Sequence, residues 1–311
     1  MSYWRLFCRI SPEIIIIRWH NPLFSWLAGV YARLVGCSVI IYEQISSDLL
    51  NEVWSSGWKG CLLWIHFRTR QRLLNAAWMT PLPAEARLPE GCYFVPFAVP
   101  IHARPQSARG VPRILEVGKF VSRKNHLGFV SAIREIGQDM PVPATIVGEA
   151  SNPSQRQLMD KVAKAVAEAG LTNVVSIRSN VAHDEMPGVY DEHSLFVLPA
   201  IAEPAAISPL EAMGHGLPVV VADTCGTKGY VGEGRNGFVC ASGSTTALAD
   251  AIRKAVHLSQ RPGVRDRMAA DAAAHFSGMA FLASFTSMVE QHFGIPFVSS
   301  VADPGGVEIR N

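Results

Sequence analysis

Short apolar runs alternate with helical periodicity through most of the chain. The first run, Ile14 to Ile17, is continuous, as in a strand buried on both faces. Pro22 to Leu34 then predicts a helix, and Ser38 to Tyr42 a second apolar strand beyond Gly36. Strand, helix and strand in so short a stretch make a right-handed, parallel βαβ unit. The pattern then loosens: Leu62 to His66 reads as a strand, Arg68 to Trp78 as a helix, and Cys92 to Val95 as a strand. Residues 100–112, rich in Pro, Arg and Gly, read as a linker.

The alternation beyond the linker is regular. Strands are predicted at Arg113 to Val117, Pro143 to Val147, Val174 to Ile177, Leu195 to Leu198, Pro218 to Ala222 and Gly237 to Cys240. Helices are predicted from Lys124 to Ile136, from an Asn152 N-cap with Pro153 in the first turn to a stop at Gly170, and from Ser208 to Gly216. A short one covers His183 to Asp191, and three more cover about 244–257, 262–274 and 278–293. The last of these is amphipathic, with Phe281, Phe285, Met288 and Phe293, and reads as core packing; the final dozen residues read as a loose tail. This order specifies an α/β fold with open parallel sheets covered on both faces. Ligands of such sheets bind at the carboxyl ends of the strands, so the informative loops follow Val117, Val147, Ile177, Leu198 and Ala222.

Composition narrows the function class. The 311 residues suffice for two domains, and a formal charge of +2 gives no broad pull toward nucleic acid, so any anion site is local. None of the six cysteines forms a C-x-x-C pair, which predicts reduced thiols and a cytoplasmic protein. No secretory signal is expected. The apolar stretch from Leu23 to Tyr42 is divided by Arg33 and Gly36 and reads as helix plus strand, with peripheral membrane contact left open.

Two loops carry chemistry. After Val117 come Gly118, Lys119, Phe120, Val121, Ser122, Arg123 and Lys124, three cations just ahead of a helix start, where free amides already favour anions. An ordinary solvated basic loop is the competing reading. After Leu198, Glu203 and Glu211 are separated by seven residues. Ser208 and Glu211 have the S-x-x-E spacing of a capping box, whereas Glu203 has only the alternative of a solvated loop residue. No Asp-x-Asp pair is present to hold a metal on a diphosphate.

The segment EPAAISPLEAMGHGLPVVVAD, Glu203 to Asp223, resembles the E-x7-E signature of glycosyltransferase family 4. The basic loop is similar to that family's G-R-x4-K element; Val147 to Glu149, Asn180-Val181, Tyr190 and Asn236 to Phe238 also fall in the family's order, so the likeness spans about residues 111–260. The resemblance implies a GT-B architecture of two facing Rossmann-like domains. The amino-terminal one is reduced or incomplete: residues 1–107 would form a partial acceptor domain, 108–275 the donor domain, and 276–311 a terminal crossover helix and tail. It implies a retaining hexosyltransferase that moves sugar from a nucleotide-diphosphate sugar to a glycan or lipid-linked acceptor, as in synthesis of surface polysaccharide or lipopolysaccharide. No cofactor or metal is expected, with the lysines in the metal's role, and no nucleic acid partner.

Residue by residue, the resemblance implies that Lys119 and Lys124 contact the diphosphate, Glu203 the sugar hydroxyls and Glu211 the ribose. The amides of Ala206 and Ile207 would meet the phosphates and Asn180 and Val181 would lie beside the base, with Gly118, Gly148 and Ser208 in the same donor site. Lys119 replaces the usual Arg, and Ala205-Ala206 replaces a common Phe-Gly, where a methyl group approaches the phosphates. The position that often supplies a catalytic His falls near Glu43; His20 and His66 are other candidates, each also readable as a packed or solvated His. The family's first strand, its glycine-rich turn and the following helix have no counterpart in residues 1–107, as expected either of a variant with a reduced acceptor domain or of a chain whose true start lies upstream; a second reading is therefore a nucleotide-sugar-binding protein without a complete acceptor side. A GT-B epimerase or phosphorylase is a third, without the phosphorylase cofactor-lysine motif.

Overall fold

A computed structural model of the chain describes residues 3–18, 22–44, 57–83, 88–101 and 110–296. Two parallel sheets organise it. The first comprises β1 (Ile14–Arg18), β2 (Ser38–Tyr42), β3 (Ala76–Thr80) and β4 (Cys92–Phe94), in spatial order β1-β2-β3-β4. Helix α1 (Tyr3–Ile10) precedes it, α2 (Pro22–Leu34) joins β1 to β2, and α3 (Gly57–Leu74) lies between β2 and β3. The predicted βαβ unit is therefore present, and Ile14 to Arg18 pair in parallel with Ser38 to Tyr42.

The region after β2 differs from its expectation. Residues 57–74 form one helix, so His66 sits within α3 and not at a strand end, and Trp78 belongs to the all-buried strand β3. Gly-Trp-Lys-Gly-Cys-Leu-Leu-Trp-Ile-His-Phe has apolar residues on every side, so its periodicity separates a short buried strand from a helix poorly. His20 lies outside the described residues, as does most of the expected linker, 102–109.

The second sheet comprises β5 (Ile114–Val117), β6 (Ala144–Gly148), β7 (Val175–Ser179), β8 (Leu195–Leu198), β9 (Val219–Ala222) and β10 (Gly237–Cys240). Its order is β10-β9-β8-β5-β6-β7, with every pairing parallel. Both sheets are Rossmann-like, and the first is the smaller among the described residues. Helices α4 (His126–Ile136), α5 (Pro153–Glu168), α6 (Met186–Asp191), α7 (Ser208–Gly214) and α8 (Thr245–Ser259) flank the second. Every residue of β6, β8 and β9 is buried, which is why β8 and β9 read as unbroken apolar runs and β6 as one interrupted only by Thr145. The predicted Asn152 cap is a full capping box: Asn152 accepts from the Gln155 amide while the Gln155 side chain accepts from the Asn152 amide.

Helices α9 (Val264–Phe276) and α10 (Gly278–Phe293) form one nearly continuous run divided at Ser277, whose backbone is extended and whose side chain caps α10 at Ala280. Among the described residues this run, Val264–Phe293, is the one long and apolar enough to cross a membrane. In the fold α10 crosses to the first sheet, where Met288 and Val289 pack on Ile40, Ala77 and Met79. Tyr230, on a 3-10 turn at Gly226–Tyr230, also ties the units together by donating to the Pro81 carbonyl and accepting from the Phe97 amide.

Candidate donor site

Strands β5 and β8 are neighbours, but the loops that follow them run in opposite directions. Such a topological switch opens a crevice at the carboxyl edge of the sheet. A cleft of about 700 Å3 lies there, at the ends of β5, β6 and β7. A smaller cavity, about 370 Å3, opens at the amino edge beside Pro112, Ser194 and Arg265 and carries none of the expected constellation.

The cleft brings together Gly118, Lys119, Lys124, Gly148, Asn180, Val181 and Ser208 from the sequence-predicted set, and adds Arg123 and Glu149. The basic loop reaches it through a 3-10 turn, Ser122–Lys124; α4 begins only at His126, because Asn125 adopts a left-handed backbone (φ 59°) between them. Lys124 is thus in a tight turn one step before the helix, not within it. A Cβ on Gly148 would lie 2.4 Å from the Gly118 carbonyl oxygen, so glycine is required where the two strand ends meet. Asn180, also left-handed, fixes the third strand end by donating its amide to Gly148 and accepting from Ala150 through Oδ1 at 2.8 Å.

The acidic residues are more strongly partnered than their sequence context implied. Glu203 is not a solvated loop residue: its side chain is 8% exposed and its carboxylate takes the Lys124 ammonium at 2.7 Å and the Arg123 guanidinium as well. This contact spans the β5–β8 switch. Lys119 is exposed and pairs with Glu149 at 2.8 Å. Three cations and the Glu149 carboxylate line the cleft, while the Glu203 carboxylate is buried behind Lys124 and Arg123; counted together they leave one positive charge in excess. Lys119 and Ser151 hold the Glu149 carboxyl below its usual pKa.

The Ser208–Glu211 capping box is absent. Ile207 is the N-cap residue, no side-chain cap is made, and Glu211 instead accepts from the Tyr190 hydroxyl at 2.7 Å. Burial, then the Glu211 charge, drives the Tyr190 pKa well up, so Tyr190 remains a neutral donor. Its ring stacks on His215 at 5.0 Å, and His215 Nδ1 lies 2.7 Å from Asp191. Glu211 lies three residues along α7 from the cleft-lining Ser208, while Ala206 is buried in the core and Ile207 is exposed.

Beneath the loop, His126 and Glu116 are both buried. His126 Nδ1 lies 2.8 Å from Glu116 Oε1, a charge contact without hydrogen-bond alignment, while Nε2 bonds to the Lys119 carbonyl at 3.0 Å. Burial is the largest single influence on the His126 pKa and lowers it, but the charge and close contact of Glu116 and the bond to the Lys119 carbonyl together outweigh it, and the net direction is up. On the first sheet, Glu43 follows β2, is half-buried, and has its pKa raised by burial against the opposing charge of Arg18.

Sequence could reveal Lys124 and Glu203 singly, but not their contact across 79 positions, nor Tyr190 on Glu211 across 21. The signals available for Arg123 and Glu149 were their places in strand-end loops.

Comparison with known proteins identifies the family and the fold. The sequence profile described as "Glycosyl transferases group 1" matches residues 100–275. The chain is 29% identical over 165 residues to an alpha-D-kanosaminyltransferase of Streptomyces kanamyceticus, covering 52% of this chain and 40% of that protein. It is 27% identical over 171 residues to a D-inositol 3-phosphate glycosyltransferase of Paenarthrobacter aurescens, covering 53% and 41%. The match thus spans about two fifths of these relatives' length. Among solved structures, a glycosyltransferase from Rickettsia africae superposes with a TM-score of 0.70 at 14% identity, covering 93% of this chain and 79% of that one. Anabaena Alr3699/HepE in complex with UDP gives 0.68 at 16%, covering 94% and 82%. These likenesses show the GT-B fold, and the profile match over more than half of its length shows that the chain belongs to the group 1 glycosyltransferases.

Proposed function

We propose that the chain transfers a sugar, with retention at the anomeric carbon, from a nucleotide-diphosphate donor bound in the β5–β7 cleft. The observation that supports it is the convergence of Lys119, Arg123 and Lys124 on one strand-end crevice, with the buried Glu203 carboxylate holding Arg123 and Lys124 from behind. Cleaving the sugar–phosphate bond builds negative charge on the departing diphosphate, and fixed cations in a partly buried site stabilise that charge. Lys119 is available to serve because its pair with Glu149 is solvent-exposed and therefore weak. Lys124 is held at one aim by Glu203, so the carboxylate that would touch the sugar also orients the cation that would touch the phosphate. With these cations in the metal's role, the reaction proceeds without a divalent ion. Glu211, steadied by Tyr190, binds the ribose, and Asn180 and Val181 flank the base.

In this reading residues 108–275 bind the donor, 1–107 meet the acceptor, and 276–311 tie the two. The acceptor is a glycan or glycolipid of a surface polysaccharide, reached from the cytoplasmic face of a membrane. UDP in the Anabaena complex makes uridine the first base to test. The experiment is a panel of radiolabelled UDP-, GDP- and ADP-sugars with and without EDTA. Lys124→Ala is expected to cut transfer at least a hundredfold and Lys119→Ala about tenfold, in line with the loss of a charge-stabilising group. Full activity in Lys124→Ala, or abolition by EDTA, overturns the proposal. The alternative, a donor-binding protein without transfer, is favoured by Glu43 standing where the family often has its catalytic His. Nucleotide binding without turnover on any lipid or glycan extract would select it.

A further inference from the structure

Helix α2 is apolar on both sides. Ala28 and Ala32 face the first sheet, while Leu23, Leu27, Val30 and Leu34 form an exposed stripe at helical spacing, with Leu34 at 80% exposure. Helix α3 packs beside α2 on the same face of the sheet, and its Trp58, Leu62 and Ile65 are also exposed at four- and three-residue steps. A helix apolar all round normally lies inside a protein or against lipid. The concentration is local: among the described residues, twelve of the eighteen large apolar side chains that are exposed fall between Ile10 and Leu73.

Charge follows the same boundary. In residues 1–80 Lys and Arg outnumber Asp and Glu by eight to four, whereas over the rest of the chain acids outnumber bases by twenty-two to twenty. Arg5, Arg9, Arg33 and Arg72 are exposed on α1, α2 and α3, and α1 is held against α2 by the edge-on contact of Phe7 with Tyr31. An apolar stripe bordered by arginines matches a surface that offers acyl chains beneath anionic headgroups. A second copy of the same chain would set these arginines against each other.

We infer that the outer face of α2 and α3, with the arginines of α1 to α3, docks reversibly on an anionic lipid bilayer. This gives the membrane contact of the proposed function a surface and a lipid class, but it rests on the first sheet alone and not on the donor cleft. Its failure and that of the donor reading are separable, because nucleotide binding is measured on the same samples.

The test is flotation of the full chain with vesicles of phosphatidylcholine alone or with one third phosphatidylglycerol, at low and high salt. The wild type is expected to float with the anionic vesicles at least tenfold more than with the neutral ones, and to be released by salt. Leu23→Glu/Leu27→Glu/Leu34→Glu, all at exposed positions, is expected to lose at least nine tenths of that binding. Its thermal melt and UDP titration should stay those of the wild type. Arg5→Gln/Arg9→Gln/Arg33→Gln, which leaves the apolar stripe intact, should weaken only the salt-sensitive part. Equal flotation with neutral vesicles, unchanged flotation of the triple Glu variant, or a concentration-dependent dimer that this variant converts to monomer would overturn the inference, the last by assigning the face to a second copy.

Discussion

Glu203→Gln separates the two jobs of the Glu203 carboxylate. The substitution keeps shape and removes one negative charge from a group that contacts both Lys124 and Arg123. Removing one partner of a buried pair typically costs about 3–5 kcal/mol. Lys124 borders an open cleft and can take up water, so ~2–3 kcal/mol is expected here. Nucleotide affinity should move the other way, because the excess cleft charge rises from one to two. A phosphate held by Lys124 lies beyond it from Glu203, at roughly 7–8 Å; between a protein-like and a water-like dielectric that repulsion is worth ~1 kcal/mol. Its removal should tighten UDP about fivefold. Calorimetric titration of UDP at low salt and at 0.5 M NaCl measures this, beside a thermal melt and a transfer assay. The expected result is tighter UDP with the gain shrinking at high salt, a lower Tm, and transfer reduced at least a hundredfold. UDP binding that is unchanged or weaker at both salts would refute the electrostatic argument, whatever the activity.

Two further predictions concern the frame of the cleft. Gly148→Ala sets a methyl against the Gly118 carbonyl and the Phe120 ring, so it should cost about 2–3 kcal/mol, the upper part of the overpacking range, and weaken UDP binding; a wild-type melt and affinity would refute the close approach. His126 has a folded pKa above its unfolded value of about 6.5, so its charge contact with Glu116 stabilises fully at lower pH and is lost as pH rises through the folded pKa. The wild-type Tm should therefore fall between pH 6.5 and 8.5 more than that of Glu116→Gln, and parallel profiles would refute it. His193, whose pKa burial lowers, acts oppositely and destabilises only toward acid pH.

The sequence was most legible where burial is two-sided. Val219 to Ala222 and Leu195 to Leu198 can be little but central strands, and Asn152-Pro153 little but a helix start. The cations after Gly118 were legible as an anion site because strand ends of parallel sheets are where ligands sit. Residues 57–74 were not legible, since a helix apolar on both faces has lost the periodicity that identifies it. The partners of the two glutamates were equally hidden. Glu211 had a local partner available in Ser208, but the Tyr190 hydroxyl, set by the packing of α6 on α7, won it. Glu203 meets Lys124 only because the chain reverses direction at the sheet's switch point, a fact of topology and not of spacing.

A crystal structure of the chain soaked with UDP or GDP tests the account most directly. The diphosphate is expected between the ammonium groups of Lys119 and Lys124, with the base toward Asn180 and Val181 and a ribose hydroxyl on Glu211. A nucleotide bound at the amino edge of the sheet near Arg265, or none bound at millimolar concentration, would contradict it.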